Sequence, residues 1–319
     1  MQAFHSDRYP LPLPPGHRFP RSKYRLLRER VAGFADLVAN EAAAASDAQL
    51  TLVHDADYVR AVVNGTLTAA EQRAIGFPWS EEMVERSRRS VGATIAAARA
   101  ALAEGVAANL AGGTHHAAAG RGSGYCVFND VAVATHVLQA EAALRVAVVD
   151  LDVHQGDGTA AIFAGDPSVF TISLHGAKNF PFRKATSDLD LALADGCGDA
   201  DYLSALDGAL AALAREHAVR PFGLTFYLAG ADPHEGDRLG RLKVSADGLL
   251  ERDRRVLAVL GEQRIPVALA MAGGYGHDLD VTVSIQAATI AAAIHAWREW
   301  NGVEAAPRRV GDSAVAALG

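Results

Sequence analysis

Apolar and polar positions change rhythm along this chain. From about residue 106 onward, short β-branched or apolar runs alternate with longer segments of helical period. The runs Val106 to Leu110, 145 to 152, 169 to 176 ("VFTISLHG"), 223 to 230 ("GLTFYLAG") and 266 to 274 ("PVALAMAGG") read as strands. Between and after them, helical patterns cover about 129 to 142, 157 to 164, 199 to 217, 246 to 261 and 281 to 299. The segment after "VFTISLHG", up to about Gly198, reads as a long irregular loop. Upstream, Leu26, Leu27, Val31, Phe34, Leu37 and Val38 share one face of a helix expected from Ser22 to about Ala45. Shorter helices are expected over 55 to 64 and 68 to 75, and a long one from Ser80 to Glu104. "YPLPLPPGHRFP" (9 to 20) holds five of the twelve prolines and must be an extended loop. Strands alternating with helices predict βαβ units, hence a three-layer α/β/α arrangement around a mostly parallel sheet. There is no internal repeat, and no linker rich in Pro, Gly or Ser. A single domain over 1–319 is expected.

Composition narrows the function. With 319 residues, 50% of them hydrophobic and 21% charged, the chain can bury a large core. The net charge of −7, without a dense Lys/Arg block, argues against a nucleic-acid partner. Cys126 and Cys197 make no disulfide framework and suit a reducing compartment. "MQAFHSDRYP" has no apolar signal region, and no run of about 18 uncharged apolar residues suggests a membrane span. A cytoplasmic protein with no membrane partner is therefore the expectation.

In open parallel sheets, ligands collect outside the carboxyl ends of the strands. The predicted strands deliver "GGTHHA" with His115 and His116, "VVDLDVHQGDGT" with Asp150, Asp152, His154 and Asp157, Ser173 to His175, "AGADPHEGD" with Asp232, and "AGGYG" with Tyr275. Asp152 and His154 are spaced to leave one face of the chain where the strand ends. With Asp232 they could hold a divalent ion and leave a coordination position open, although two oxygens and one nitrogen are harder than many zinc donor sets. The competing view is that these residues only cap the next helix, Asp157 being a good N-cap. Two adjacent histidines converge on one site only from a loop, which Gly112 and Gly113 supply. One imidazole could then be a general base and the other an electrostatic or acid partner, each oriented by a carboxylate such as Asp150 or Asp157. Tyr275, after two glycines, could donate to an oxyanion or be a plain turn residue. Cys126 sits among apolar neighbours and reads as structural.

Together with "GSGYCVFND" and "ISLHG", these motifs occur in an order and spacing that resembles the zinc-dependent histone deacetylase family, over about residues 5 to 295. "GHRFPRSKYRLL" and "KNFPFRKATSDLDLALADGCGD" are most similar to its class IV branch and bacterial relatives. The resemblance implies the arginase–deacetylase fold and one catalytic Zn²⁺ per chain held by Asp152, His154 and Asp232. It further implies His115 and His116 as the catalytic pair, backed by Asp150 and Asp157, with His116 the base, and Tyr275 polarising the carbonyl. Gly124, Tyr125, Phe180 and Gly274 fall at its substrate-binding positions. Main-chain oxygens of Asp150, Asp152, His154, Ser173 and Leu174 match a structural K⁺ site. One departure is Gln155, where the family commonly has a second histidine; the ligands and Asp157 are untouched, so activity is expected to survive.

The expected reaction is hydrolysis of an N-acyl-lysine on a protein, with class IV similarity implying better removal of long acyl groups than of acetyl. Three other readings stand beside it. One is a small acylated amine such as an acetylpolyamine as substrate, which an acidic protein would suit. Another is an arginase-like ureohydrolase, which would need a second metal and an Asp-x-Asp pair where Asp232-Pro233-His234 stands. The last is a non-catalytic acyl-lysine reader. Acyl length, natural substrate and oligomeric state are not specified by the motifs.

Overall fold

In the computed structural model, residues 1–9 and 11–304 are described; Pro10 and residues 305–319, part of the domain expected over 1–319, lie outside the described residues. One sheet contains β1 (Gln2–His5), β2 (Val38–Glu41), β3 (Val106–Asn109), β4 (Val146–Asp150), β5 (Val169–Gly176), β6 (Leu189–Leu193), β7 (Leu224–Leu228) and β8 (Val267–Ala270). The strand order is β2-β1-β3-β8-β7-β4-β5-β6, and every neighbouring pair is parallel. The helices are α1 (Lys23–Val31), α2 (Asp47–Leu50), α3 (Ala56–Asn64), α4 (Ala69–Ile75), α5 (Glu81–Glu104), α6 (Asp130–Glu141), α7 (Asp157–Ile162), α8 (Asp199–Val219), α9 (Ala246–Glu262) and α10 (Leu279–Asn301).

The period-two alternation of a strand sorts its residues between two cores. Along β4, Ala147 and Val149 face one core with Leu27 of α1, Tyr202 and Leu206 of α8, Val256 of α9 and Ile290 of α10. Val146 and Val148 face the other, with Val59 of α3, Val91 of α5 and Val131 of α6. Covered on both faces, β4 is apolar without alternation until Asp150. This is the three-layer α/β/α architecture expected.

Three elements depart from the expectation. The helix predicted over Ser22 to Ala45 stops at Val31, and residues 38–41 form an edge strand instead. Asp36 takes φ 65° at the reversal. The pairing of β1 needs a partner for its outer edge, and Val38 to Glu41 supply one in register. That tertiary demand outweighs the local helical period, and Val38 ends up 52% exposed rather than on a buried face. β1 itself is too short to stand out as a pattern. Finally, the segment expected to be irregular holds β6, an edge strand on β5.

Helix α10 is long and apolar enough by composition to cross a membrane, but half of its most apolar window is buried within the fold. Its period of small and branched residues serves packing against α1 and α9.

Candidate active site

Strand β4 ends at Asp150 and β7 at Leu228, two residues short of the predicted strand ends, which leaves Asp152, His154 and Asp232 on turning backbone. One donor atom from each lies within 4.8 Å of the other two. His154 Nδ1 is 3.0 Å from Asp152 Oδ1 and 3.3 Å from Asp232 Oδ2. Backbone amides aim the carboxylates: Gly273 N–H donates to Asp152 Oδ2 at 2.7 Å, and Val153 N–H to Asp232 Oδ1 at 2.9 Å. Gly273 can only be glycine, since a Cβ there would lie 1.8 Å from Asp232 Oδ2.

Asp232 Oδ2 is buried and accepts no hydrogen bond. Burial, then the charge of Asp152, pushes the Asp232 carboxyl up to about 7. Burial alone would lower His154, but its contacts with Asp152 and Asp232 outweigh this and raise it to about 10. Between these two crowded carboxylates the ring is held as an imidazolium. Two oxygens and one nitrogen, one oxygen without a partner, fit a divalent cation that would replace that proton. His234 does not join them: its Nδ1 accepts from Gly236 N–H at 3.1 Å in its own turn.

The histidine pair arrives on the loop after β3, where Gly112 and Gly113 take φ 78° and 73°. Gly113 N–H, Thr114 N–H and the Thr114 hydroxyl all donate to the Asp130 carboxylate, at 2.9, 2.8 and 2.8 Å. His115 and His116 then lie with ring centroids 4.2 Å apart, their planes tilted by 51°. Each donates through Nδ1 to its own carboxylate at 2.7 Å, His115 to Asp150 and His116 to Asp157. Asp157 is the first residue of α7 and makes no capping bond, so its role is not that of a helix cap. For His115, burial favours the neutral ring, but Asp150 and Asp152 prevail and hold it up at about 9. For His116, burial and then the charge of His115 push it down to about 4.

Tyr275 follows Gly274, and its N–H donates to Asp237 Oδ2 at 2.5 Å. Burial raises its hydroxyl well above the ordinary tyrosine range, so it remains a donor at neutral pH. Tyr125, at φ 67°, and Phe180 line an open groove with Tyr275; the Phe180 ring stands edge-on to His116 at 4.8 Å. Gly124, at φ 53°, lies against both, since a Cβ there would meet the His116 ring at 2.6 Å. Gly274 lies differently from the rest of the predicted set. It takes φ 144°, faces Thr282, and lines neither the groove nor the cavity beneath it, whereas Gly273 does line the cavity. Burial drives the Cys126 thiol well up, consistent with a structural role. Gln155 is fully paired: it donates to Asp190 at 2.7 Å and to Ala185 O at 3.0 Å, and accepts from Ala185 N–H at 2.8 Å. It thereby ties the loop that carries Phe180 to the loop that carries His154.

Sequence reasoning assigned no role to Asp130, Asp237 or Arg86. Asp130 and Asp237 stand inside quoted motifs, but their work is to hold loops through backbone amides, and nothing in a one-dimensional pattern marks that. Arg86 lies on α5 and looks like an ordinary helical charge until the fold turns it inward.

The sequence profile of the histone deacetylase domain matches residues 17–292. Histone deacetylase 2 of Arabidopsis thaliana is 32% identical over 241 residues, covering 72% of this chain and 62% of that protein. An uncharacterised protein of Picosynechococcus sp. is 47% identical over 284 residues, 87% of this chain and 93% of its own. Among solved structures, an HDAC homolog from Aquifex aeolicus matches with a TM-score of 0.77 at 23% identity, over 96% of this chain and 85% of that one, which speaks for the fold.

Proposed function

This chain belongs to the histone deacetylase family and is a deacetylase hydrolase, and on that premise we propose that it cleaves the amide of an N-acyl-lysine with a metal-activated water. The observation that carries the reading is the pair His115 and His116: two imidazoles with centroids 4.2 Å apart, each bonded at 2.7 Å to its own carboxylate, in surroundings that push their proton affinities in opposite directions. Environments that push two neighbouring groups apart in this way divide acid and base roles between them.

Asp152, His154 and Asp232 would hold the ion, Zn²⁺ in this reading, and when bound it supplies Lewis-acid polarisation and a more acidic water. The protein's own groups do the rest. His116 donates its Nδ1 proton to Asp157, which leaves Nε2 free to take the proton of the attacking water. His115 keeps both protons and contributes fixed positive charge beside the carbonyl. The Tyr275 hydroxyl donates to the oxygen on which negative charge develops. As the C–N bond breaks, the proton held at His116 passes to the amine, since an amide anion cannot leave near pH 7. Tyr125 and Phe180 bury the methylenes of the lysine stem.

Lysine is favoured over a polyamine because the groove carries Arg73 and no Asp or Glu among its described lining residues. A free cationic tail would meet a positive rim there. A ureohydrolase is disfavoured by His234, which stays out of the ligand group. Hydrolysis of acetyl-lysine peptides, compared with N-acetylputrescine and N-acetylspermidine, tests the reading. Turnover of the peptides supports it, and turnover confined to acetylpolyamines refutes it.

A further inference from the structure

The groove and an inner cavity meet at His116, His154, Gly124, Tyr125 and Tyr275, so the reacting centre lies between them. The cavity leaves about 70 Å³ to the centres of water-sized spheres, room for roughly five waters. Its lining is not wholly apolar. Arg86, Ser87 and Ser90 of α5 line it together with Leu11 and Phe77.

Arg86 is 8% exposed and, among the described residues, forms no ion pair. Its guanidinium donates to Ser6 O and Tyr9 O, both at 3.5 Å, the outer limit of a hydrogen bond. It lies 4.5 Å from the Tyr24 ring centroid. A second buried cation, Lys23, stands 5.0 Å from the same ring and donates to Ala272 O at 3.1 Å. The acid whose charge Arg86 feels, Asp7, is already engaged by Arg28 at 2.8 Å. Two buried cations without a carboxylate of their own are strongly unfavourable unless an anion joins them. The planar fork of an arginine matches a carboxylate in particular.

We propose that Arg86 and the inner cavity bind a carboxylate at the far end of the substrate's acyl group, making the enzyme a deacylase for succinyl- or glutaryl-type groups. The inference rests on the N-acyl-lysine reading and adds the acyl class. Water oxygen bonds to the acyl carbon, the C–N bond breaks, and the water proton moves through His116 to the amine; the products are a lysine amine and a free dicarboxylate. A long aliphatic acyl group, expected from class IV similarity, would cover Arg86 without pairing it and is disfavoured.

The test compares kcat/KM of the metal-loaded full chain on succinyl-, glutaryl-, butyryl-, valeryl-, acetyl- and myristoyl-lysine peptides. Each dicarboxylic group should exceed its uncharged counterpart by about tenfold or more, the scale of one charged hydrogen bond. Arg86→Met should reverse that ratio and Arg86→Lys should keep part of it; reading the ratio cancels any loss common to all substrates. In parallel, glutarate should raise Tm more than butyrate does, and Arg86→Met should abolish the difference. A wild-type preference for butyryl or myristoyl over succinyl overturns the proposal, even if neither variant folds. So does Arg86-dependent inhibition by acetate without any preference for succinyl, because the cavity would then hold freed product. An Arg86-dependent glutarate shift with no hydrolysis of any peptide keeps the carboxylate subsite and removes the deacylase reading. Absence of both removes both.

Discussion

The two histidine–aspartate pairs occupy adjoining regions of one site and share the same 2.7 Å bond, yet they hold their protons oppositely. His115 lies between two carboxylates, Asp150 at 2.7 Å and Asp152 at 3.9 Å, and the Asp150 side chain is only 4% exposed. His116 has a single carboxylate, 15% exposed and so better screened, and it faces the positive charge of His115. Identical hydrogen bonds therefore do not set proton affinity. The count of nearby charges and their access to water do.

The largest effect should come from removing the centre that both pairs face. Asp232→Ala deletes one of three ligands and the unpartnered oxygen, so metal content by elemental analysis and hydrolysis should fall to background together. Full activity with normal metal would remove Asp232 from the site.

Next, the pairs should part company when each ring is deleted. His116→Ala should lower kcat by roughly 10²–10⁴ while metal content stays normal. His115→Ala should cost less, because it loses a fixed charge and not the proton acceptor. Equal losses would break the division of roles. Tyr275→Phe should lower kcat by roughly 10²–10³ with a smaller change in KM, since the hydroxyl bond strengthens as charge develops.

The smallest effects sharpen the electrostatics. Activity requires neutral His116, whose affinity is lowered from 6.5 towards 4, so the acid limb of the kcat/KM profile should lie below pH 6.5. It also requires protonated His115, raised to about 9, so the basic limb should lie at or below that value, the bound cation pulling both limbs down. Asp157→Asn removes an influence that raises His116 and should move the acid limb lower. Asp150→Asn does the same for His115 and should move the basic limb lower. Each should cost about 10–100-fold in activity, the usual effect of removing a partner that orients a functional group. If either substitution moves the opposite limb, the assignment of the pairs is reversed.

Much of this was legible in the residues. Helices α4 and α5 fall where their N-caps put them; the Ser80 hydroxyl, for instance, accepts the Met83 N–H at 3.0 Å. The central strands announced themselves because burial on both faces demands an uninterrupted apolar run, as in "VAVV" of β4. The site followed because parallel strands deliver polar residues to one edge. Edge elements were opaque. Val38 to Glu41 and Leu189 to Leu193 become strands because a neighbour offers unpaired backbone groups, a demand that lies over thirty residues away for β2 and is invisible in its own side chains.

The sequence by itself determined the five central strands, their converging ends and the three candidate ligands, because period, turn glycines and donor chemistry are local properties. Only the tertiary structure decided which histidine keeps its proton, that Gly273 rather than Gly274 abuts the carboxylates, and that Arg86 is a buried cation without an acid of its own. Those outcomes are sums of charge and desolvation over groups far apart in the chain, as between Arg86 and Ser6 or Gly273 and Asp152, and only folding fixes the distances.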